Sequence, residues 1–162
     1  MTLYLLDANV LIRAHADYYP MDRIPAFWSW LLSMATADVI KMPLEIYHEV
    51  TASADMLGTW LKRSNVKNAI ILEETTNGSR VRRIIVEGYA PDLNDVELEE
   101  IGRDPFLVAA ALGGPDRVVV TREASGPSKK RANRKLPDVC AQFSVPVIND
   151  FALYRALNFS IA

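Results

Sequence analysis

The sequence predicts an α/β fold in which a mostly parallel sheet carries helices on both faces. Short apolar runs that end at a polar residue or a proline recur along the chain, as buried strands of parallel sheets do. Segments with apolar side chains at helical spacing lie between these runs, and strands that alternate with helices typically form parallel sheets covered by helices. With 162 residues, half of them hydrophobic, the chain is expected to form one domain over residues 1–162.

The first half of the chain is expected to contain two strands. The first is the apolar run "TLYLLD", which ends at Asp7, and the second is "DVIKMP", which Pro43 ends. Apolar side chains at positions three and four apart, the pattern of amphipathic helices, predict four helices around these strands: "ANVLIRAHADYY", "RIPAFWSWLLSMATA", "LEIYHEVTA" and "DMLGTWLKRSN".

The second half is expected to add two strands and three further helices after a mixed region. In that region "NAIILEE" fits a strand or a buried turn, "TNGSRVRRIIVEGYA" has helical spacing, and "PDLNDVELEE" is expected to be a loop. In "DPFLVAAALGG", Asp104 is expected to cap a helix and Pro105 to take its first position. The remaining elements are the strands "DRVVVT" and "VPVIN", the loop "REASGPSKKRANRK", and the helices "LPDVCAQFS" and "DFALYRAL".

The composition argues against a membrane or secreted protein. No apolar run approaches the ~20 residues that a membrane span needs, and no basic segment precedes "LYLL", so no signal peptide is expected. Cys140 is the single cysteine. An internal disulfide is therefore impossible, a cytoplasmic location is expected, and Cys140 is expected to be a buried packing residue.

An aspartate at the end of the first strand is the first sign of a functional site. A carboxylate at the edge of a core is costly unless something pairs with it. In open α/β sheets, ligands bind outside the carboxyl ends of the strands, where the strand order reverses. Three more acids stand at element boundaries or early in a helix, so the candidate set is Asp7, Glu49, Asp104 and Asp138.

Each of these acids also has an ordinary structural interpretation. Asp7, Asp104 and Asp138 could be helix caps, and Glu49 could be a solvated residue of an amphipathic helix. Taken together they favour a metal site. Converging carboxylates repel one another unless a divalent cation lies between them or their pKa values rise. Hard oxygen ligands suit Mg²⁺ or Mn²⁺ rather than zinc.

Four segments of the chain resemble, in order and spacing, the acidic motifs of PIN-domain ribonucleases. They are "YLLDANVLI", "MPLEIYHEV", "GRDPFLVAAAL" and "RVVVT", and they extend the resemblance over nearly the whole chain. The nearest branch is a prokaryotic one, related to the toxins of toxin–antitoxin pairs. The resemblance implies a three-layer α/β/α sandwich and a metal-dependent nuclease site, in which Asp7, Glu49 and Asp104 match the first three acids.

The fourth acid has two candidates, Glu123 in "VVVTREAS" and Asp138 in "KLPDVC". We prefer Asp138, because it precedes the last strand by a spacing like that of the family, and we expect Glu123 to lie beside the site. Asn9 and Thr121 are expected to orient a ligand or a water molecule from behind the acids.

The implied activity is hydrolysis of RNA phosphodiester bonds by water bound to one or two Mg²⁺ or Mn²⁺ ions. The loop from Arg122 to Lys135 has six basic residues and one acid. It could hold the phosphate backbone without reading bases, or it could be a solvated loop. The residues expected to contact RNA are Arg122, Lys129, Lys130 and Arg131.

Other functional classes compete with this interpretation. A phosphatase of the haloacid-dehalogenase type needs a second acid two residues after the strand-end aspartate, and that residue is Asn9. A nucleotide-binding Rossmann domain needs a glycine-rich turn after "LYLL", and none is present. A PIN-like module that binds RNA or protein without cutting remains the alternative. The resemblance also implies an antitoxin protein as partner and allows a homodimer, with the Trp-rich helix at residues 26–37 as either its surface or a buried core face.

Overall fold

Four short parallel strands form the central sheet of the protein. The computed structural model describes residues 1–162, and each strand in it lies parallel to its neighbours. In sheet order, the strands are β2 (Ile40–Lys41), β1 (Leu3–Leu6), β3 (Arg117–Val120) and β4 (Val147–Ile148). Helices flank this sheet, so the predicted α/β class and its three-layer α/β/α arrangement are confirmed.

Ten α-helices connect and cover the strands. They are α1 (Ala8–Arg13), α2 (Pro25–Thr36), α3 (Leu44–Thr51), α4 (Met56–Leu61), α5 (Ser64–Ile70), α6 (Gly78–Arg83), α7 (Asp95–Ile101), α8 (Asp104–Ala111), α9 (Leu136–Gln142) and α10 (Asp150–Ala156). Wider π-helical turns extend α1 through Ala14–Tyr18 and α6 through Ile84–Tyr89. None of these helices combines the length and the apolar character that crossing a bilayer requires.

Helix α7 corrects the expectation that "PDLNDVELEE" is a loop. Asn94 and Glu97 form a capping box at its start. The Glu97 amide donates to Asn94 Oδ1 over 2.9 Å, and the Asn94 amide donates to Glu97 Oε1 over 3.3 Å. This reciprocal pairing satisfies two of the free amides at a helix N-terminus. An asparagine followed three residues later by a glutamate is a sequence pattern that predicts such a helix start. The acidic composition of the segment led us to expect a loop instead.

Two smaller boundary predictions also change. Asp104 is the first residue of α8 rather than its cap, the cap position belongs to Arg103, and Pro105 is the second helical residue. The first three residues of "NAIILEE" belong to α5, and its extended part is reduced to one bridge between Ile71 and Met42.

The core is one contiguous cluster of 37 buried apolar residues that lies against the sheet. Helix α8 packs on β1 and β3, α9 packs on β4, and α2 and α5 pack beside β2. Phe27, Trp28 and Leu31 of α2 are buried, so this face of the Trp-rich helix is core. Cys140 is fully buried, which confirms its predicted packing role.

The order of the strands brings two chain segments together at one edge. β1 lies between β2 and β3, so the strand order reverses direction beside β1, which is where ligands bind in open α/β sheets. Leu6 pairs with Val120 in the sheet register, and the Asp7 amide donates to the Val120 carbonyl over 2.9 Å. Asp7 and Thr121 therefore leave the sheet side by side.

A pair of glycine substitutions tests the packing of α4. A methyl group at Gly58 collides with the backbone carbonyl of Ser53, whereas one at Gly78 meets no atom within 4 Å. We expect Gly58→Ala to lower the free energy of unfolding by about 1–3 kcal/mol, the range for overpacked sites. Gly78→Ala should leave it unchanged or raise it by up to about 1 kcal/mol through helix propensity. Urea unfolding of both variants measures this, and equal stabilities would contradict the close approach at Gly58.

Candidate active site

Asp7 is a buried carboxylate held by two hydrogen bonds. It caps α1, with the Ala8 amide donating to Oδ1 over 2.8 Å, and the Thr121 hydroxyl donates to Oδ2 over 2.7 Å. The residue is 7% exposed, and this burial raises its pKa to about 6. The helix-cap interpretation is therefore correct for Asp7. Each carboxylate oxygen has two lone pairs, so one acceptor position on each stays free for another ligand.

Thr121 links Asp7 to Asn9. Its hydroxyl oxygen accepts hydrogen bonds from Asn9 Nδ2 over 3.3 Å and from the Glu123 amide over 3.1 Å, while its proton goes to Asp7. Asn9 Oδ1 accepts from the Arg122 amide over 3.0 Å. These bonds join the turn after β1 to the turn after β3. The structure thus places Asn9 and Thr121 directly behind Asp7, where the sequence predicted them.

Asp104 lies within the field of three other acids. Burial raises its pKa most, and the negative charges of Asp7, Glu123 and Glu49 raise it further, to about 8. Glu49, on α3, has a pKa raised by partial burial and lowered by the nearby Arg103 guanidinium. No cation is among the groups that shift the pKa of Asp7 or Asp104. Asp7 and Asp104 therefore have no compensating positive charge, whereas Arg103 partly compensates Glu49.

Of the two candidates for the fourth acid, Glu123 acts electrostatically on this cluster and the preferred Asp138 does not. The charge of Glu123 raises the pKa of both Asp7 and Asp104, whereas Asp138 acts on neither. Asp138 instead accepts hydrogen bonds from the Ser125 hydroxyl and, over 2.8 Å, from the Gly126 amide. These bonds lower its pKa, and they assign Asp138 to holding the loop after β3.

The Glu123 carboxylate has two partners at the start of α9. The Leu136 amide, at the start of α9, donates to Glu123 Oε2 over 2.8 Å. Lys135 Nζ lies 3.6 Å from Glu123 Oε1. We name the set Asp7, Glu49, Asp104 and Glu123 the acid cluster. Sequence reasoning placed Glu123 only beside the site, because its alternative, Asp138, had the more family-like spacing.

The acid cluster has the chemistry of a hard-cation site but not a closed coordination shell. Nowhere in the protein are three or more histidine, cysteine or acidic side chains arranged to hold a metal ion. The donors available in the cluster are all carboxylate oxygens, which suit Mg²⁺ or Mn²⁺. Four like charges with no cation beside Asp7 or Asp104 also favour a divalent ion over protonation. The residues present therefore fit such an ion, provided that their side chains turn towards it.

Two of the four predicted RNA contacts are engaged inside the protein. Arg122 pairs with the fully buried Asp150 over 2.9 Å and donates to the Tyr18 hydroxyl over 2.9 Å. Arg131 bridges Asp92 and Glu97 over 2.8 and 2.9 Å. Both guanidinium groups thus join elements of the fold, and contact with RNA would require them to leave or share these partners.

The remaining two predicted contacts, Lys129 and Lys130, have side chains that bond to no other group of the protein. Both are exposed. Lys129 lines an open cavity of about 210 Å³ next to Asp104 and Glu123. The same cavity is lined by residues that sequence reasoning missed, Tyr89, Arg134 and Lys135. The two basic ones belong to the basic loop, but no sequence signal singled out Tyr89.

The raised pKa values predict how stability depends on pH. A carboxyl whose pKa is higher in the folded than in the unfolded chain destabilises the folded state as pH rises past the unfolded value. Between the ordinary aspartate pKa of 3.8 and the folded pKa values of about 6 and about 8, ionisation of Asp7 and Asp104 therefore lowers the free energy of unfolding. In metal-free buffer, Asp7→Asn and Asp104→Asn should each reduce the loss of stability between about pH 5 and about pH 8, by on the order of 1–3 kcal/mol.

Asp138→Asn is the matched control for this measurement. Its pKa is lowered in the folded protein, so the stability it contributes is present above the unfolded value and is lost only in acid. In urea unfolding, the free energy of unfolding of Asp138→Asn should therefore change between about pH 5 and about pH 8 by as much as that of the native protein. If the free energy of unfolding of the Asp7 and Asp104 variants also changed with pH as much as that of the native protein, the burial of these charges would be contradicted.

Comparison with known proteins identifies a family for this architecture. The family model described as "Domain of unknown function (DUF4411)" matches residues 4–161. No curated protein matches the sequence. Because the matched region covers nearly the whole chain, including all four residues of the acid cluster, the protein belongs to the DUF4411 family.

Proposed function

We propose that this protein is a metal-dependent endoribonuclease of the PIN type, with its active site at the acid cluster. The observation that carries the proposal is the grouping of Asp7, Glu49, Asp104 and Glu123 at the carboxyl edge of β1 and β3, where burial and the neighbouring negative charges raise the pKa of Asp7 and of Asp104. Perturbed carboxyls at the ligand-binding edge of an α/β sheet are typical of functional sites.

Binding of Mg²⁺ or Mn²⁺ explains why the fold keeps these acids together. A buried carboxylate without a counter-ion costs free energy, and Asp7 and Asp104 have no cationic side chain to compensate them. A divalent ion removes the repulsion and returns the carboxyls to their ionised form. The Thr121 and Ala8 hydrogen bonds fix the Asp7 oxygens before the ion arrives, so the reorganisation on binding falls on the other three acids.

The chemistry follows from the same geometry. When bound, the ion supplies a water of lowered pKa and neutralises charge on the phosphodiester. Asp7, Glu49, Asp104 and Glu123 are the residues that would hold it. Asn9 and Thr121 keep Asp7 oriented through their hydrogen bonds, the role that second-layer partners take at metal sites. The free side chains of Lys129 and Lys130 attract the phosphate backbone of the RNA.

The proposal includes a biological setting. The resemblance to toxin-type PIN proteins supports a toxin that acts in the cytoplasm and is restrained by an antitoxin protein, with a homodimer as a further assembly. A single, fully buried cysteine is consistent with a reducing compartment.

A PIN-like module that binds RNA or protein without cutting is the second candidate. The observation that favours it is the absence of three converging metal-ligating side chains. In this alternative, Asp104 stays protonated at neutral pH and acts as a neutral hydrogen-bonding group, as its pKa of about 8 allows.

Cleavage of a mixed pool of single-stranded RNA separates the two candidates. The native protein should cut RNA with Mn²⁺ or Mg²⁺ and stop when the metal is chelated. Asp7→Asn and Glu123→Gln should each lower the cutting rate by about 100-fold or more, and Thr121→Val by about 10–100-fold. Asp138→Asn, the matched control, should cut at close to the native rate.

Two results would contradict this account. If the native protein cuts nothing and divalent metal does not raise its melting temperature, the binding-module candidate replaces the nuclease. If Asp138→Asn abolishes cutting while Glu123→Gln preserves it, the membership of the acid cluster is wrong.

A further inference from the structure

The cavity next to the acid cluster is lined by acids and by cations. Its volume is about 210 Å³ and it opens to solvent. The acids are Asp104, Glu123 and Glu100, and the cations, which come from the segment that leads into α9, are Lys129, Arg134 and Lys135. A ligand that lies here therefore contacts basic groups while it touches two members of the acid cluster.

Tyr89 supplies an unpaired hydrogen-bond donor in this cavity. The residue is 7% exposed, and its hydroxyl is buried without a hydrogen-bond partner. The charges of Asp104 and Glu123 raise the pKa of this hydroxyl and that of Arg134 lowers it, so the hydroxyl lies near both acids and one of the cations. A buried polar group without a partner costs about 1–3 kcal/mol. A ligand that brings an acceptor to this hydroxyl removes that cost.

The backbone around Tyr89 is held firmly. Arg134 donates to the carbonyl of Gly88 and to the side chain of Gln142. Gly88 approaches α9 so closely that a Cβ there would lie 3.0 Å from the Phe143 ring. The Arg134 guanidinium therefore connects the backbone next to Tyr89 to α9. The cations whose side chains remain available to bind a ligand are Lys129 and Lys135.

These two lysines differ in how they are held. Lys129 makes no side-chain bond in the protein. Lys135 lies 3.6 Å from Glu123 in a partly exposed pair, a kind of contact that contributes little to stability. Both ammonium groups can therefore turn to an anion in the cavity. Their side chains are the flexible part of the site and the Tyr89 hydroxyl is the fixed part.

We propose that this cavity is a phosphate-binding subsite, in which a backbone phosphate of single-stranded RNA accepts a hydrogen bond from Tyr89 and is neutralised by Lys129 and Lys135. Seven of the ten lining residues are polar or charged, which suits a phosphate better than a stacked base, since stacking needs open aromatic faces. The identity of the strand as RNA rests on the proposed function. The subsite positions the strand and takes no part in bond breaking.

Equilibrium binding of a fluorescein-labelled single-stranded RNA, in buffer with EDTA so that no metal-dependent cutting occurs, tests the subsite. Tyr89→Phe should bind the RNA about tenfold more weakly, the loss expected for one hydrogen bond to a charged group. Lys129→Gln should weaken binding and reduce the slope of log affinity against log salt by about 0.7, the value for one phosphate contact on a single strand. In a second arm, inorganic phosphate should compete with the RNA for native protein and compete less well for Tyr89→Phe.

Two matched controls separate binding from folding. Tyr154→Phe also removes a buried, unpaired hydroxyl, but one in the aromatic cluster around α10. Lys67→Gln removes an exposed charge on α5. Both should bind RNA with native affinity and salt slope, and thermal unfolding should show all four variants folded.

Native affinity in both Tyr89→Phe and Lys129→Gln would overturn the subsite. Phosphate binding that depends on Tyr89 but does not compete with RNA would also overturn it, because the cavity would then take free phosphate. These readouts need no cleavage. A failure of the nuclease assay with a Tyr89-dependent RNA affinity therefore refutes the proposed function alone, and the reverse pattern refutes the subsite alone.

Discussion

The parallel pairing of β1 with β3 determines where the other groups of the candidate site lie. The register sets Leu6 opposite Val120, so that the next residue of each strand leaves the sheet at the same height. The Thr121 hydroxyl then reaches Asp7 over 2.7 Å. From this one contact the hydrogen bonds continue to Asn9 and to the Glu123 amide. A shift of one residue in this register would turn these side chains to the opposite face of the sheet.

The site is built at the expense of local stability. Asp7 is buried with two hydrogen bonds and no cation, and the N-terminus of α8 brings Asp104 into the same negative field. Burial of like charges opposes folding wherever those groups are ionised. Elsewhere the fold compensates its buried charge, as Asp150 shows by its pair with Arg122. The contrast between these two buried aspartates supports our proposal that the acid cluster binds a ligand, since a purely structural carboxylate could be paired in the same way.

The elements that sequence reasoning predicted well are those with a strong local pattern. The strand that ends at Asp7, the alanine-rich helix that begins at Asp104 and the strand that ends before Thr121 each carry their own periodicity and stop signal, and the structure contains all three. Asp7 and Asp104 could be assigned to one edge because their positions follow from parallel-strand topology. Glu123 and Asp138 could not be separated in this way. Both flank a long basic loop, and which one meets the cluster depends on the Leu136 and Gly126 amides that hold them.

The basic loop shows a second limit of sequence reasoning. Its positive charges predicted RNA contact for four residues alike. In the structure, however, Arg131 pairs with Asp92 and Glu97, and Arg122 pairs with Asp150. Long-range pairs of this kind have no signature in local composition. Tyr89 had none either, because its significance lies in an unpaired hydroxyl beside groups distant in the chain. Helix α7, in contrast, was predictable from Asn94 and Glu97.

The central claim is that the acid cluster of Asp7, Glu49, Asp104 and Glu123 binds a divalent metal ion. The most direct test is the binding of Mn²⁺ followed by electron paramagnetic resonance, in which free Mn²⁺ gives a signal that diminishes when the ion binds. The native protein should bind Mn²⁺, Asp7→Asn and Glu123→Gln should each bind it at least about tenfold more weakly, and Asp138→Asn should bind it as the native protein does. Native protein that leaves the free Mn²⁺ signal unchanged, or equal binding by all four proteins, would contradict the account.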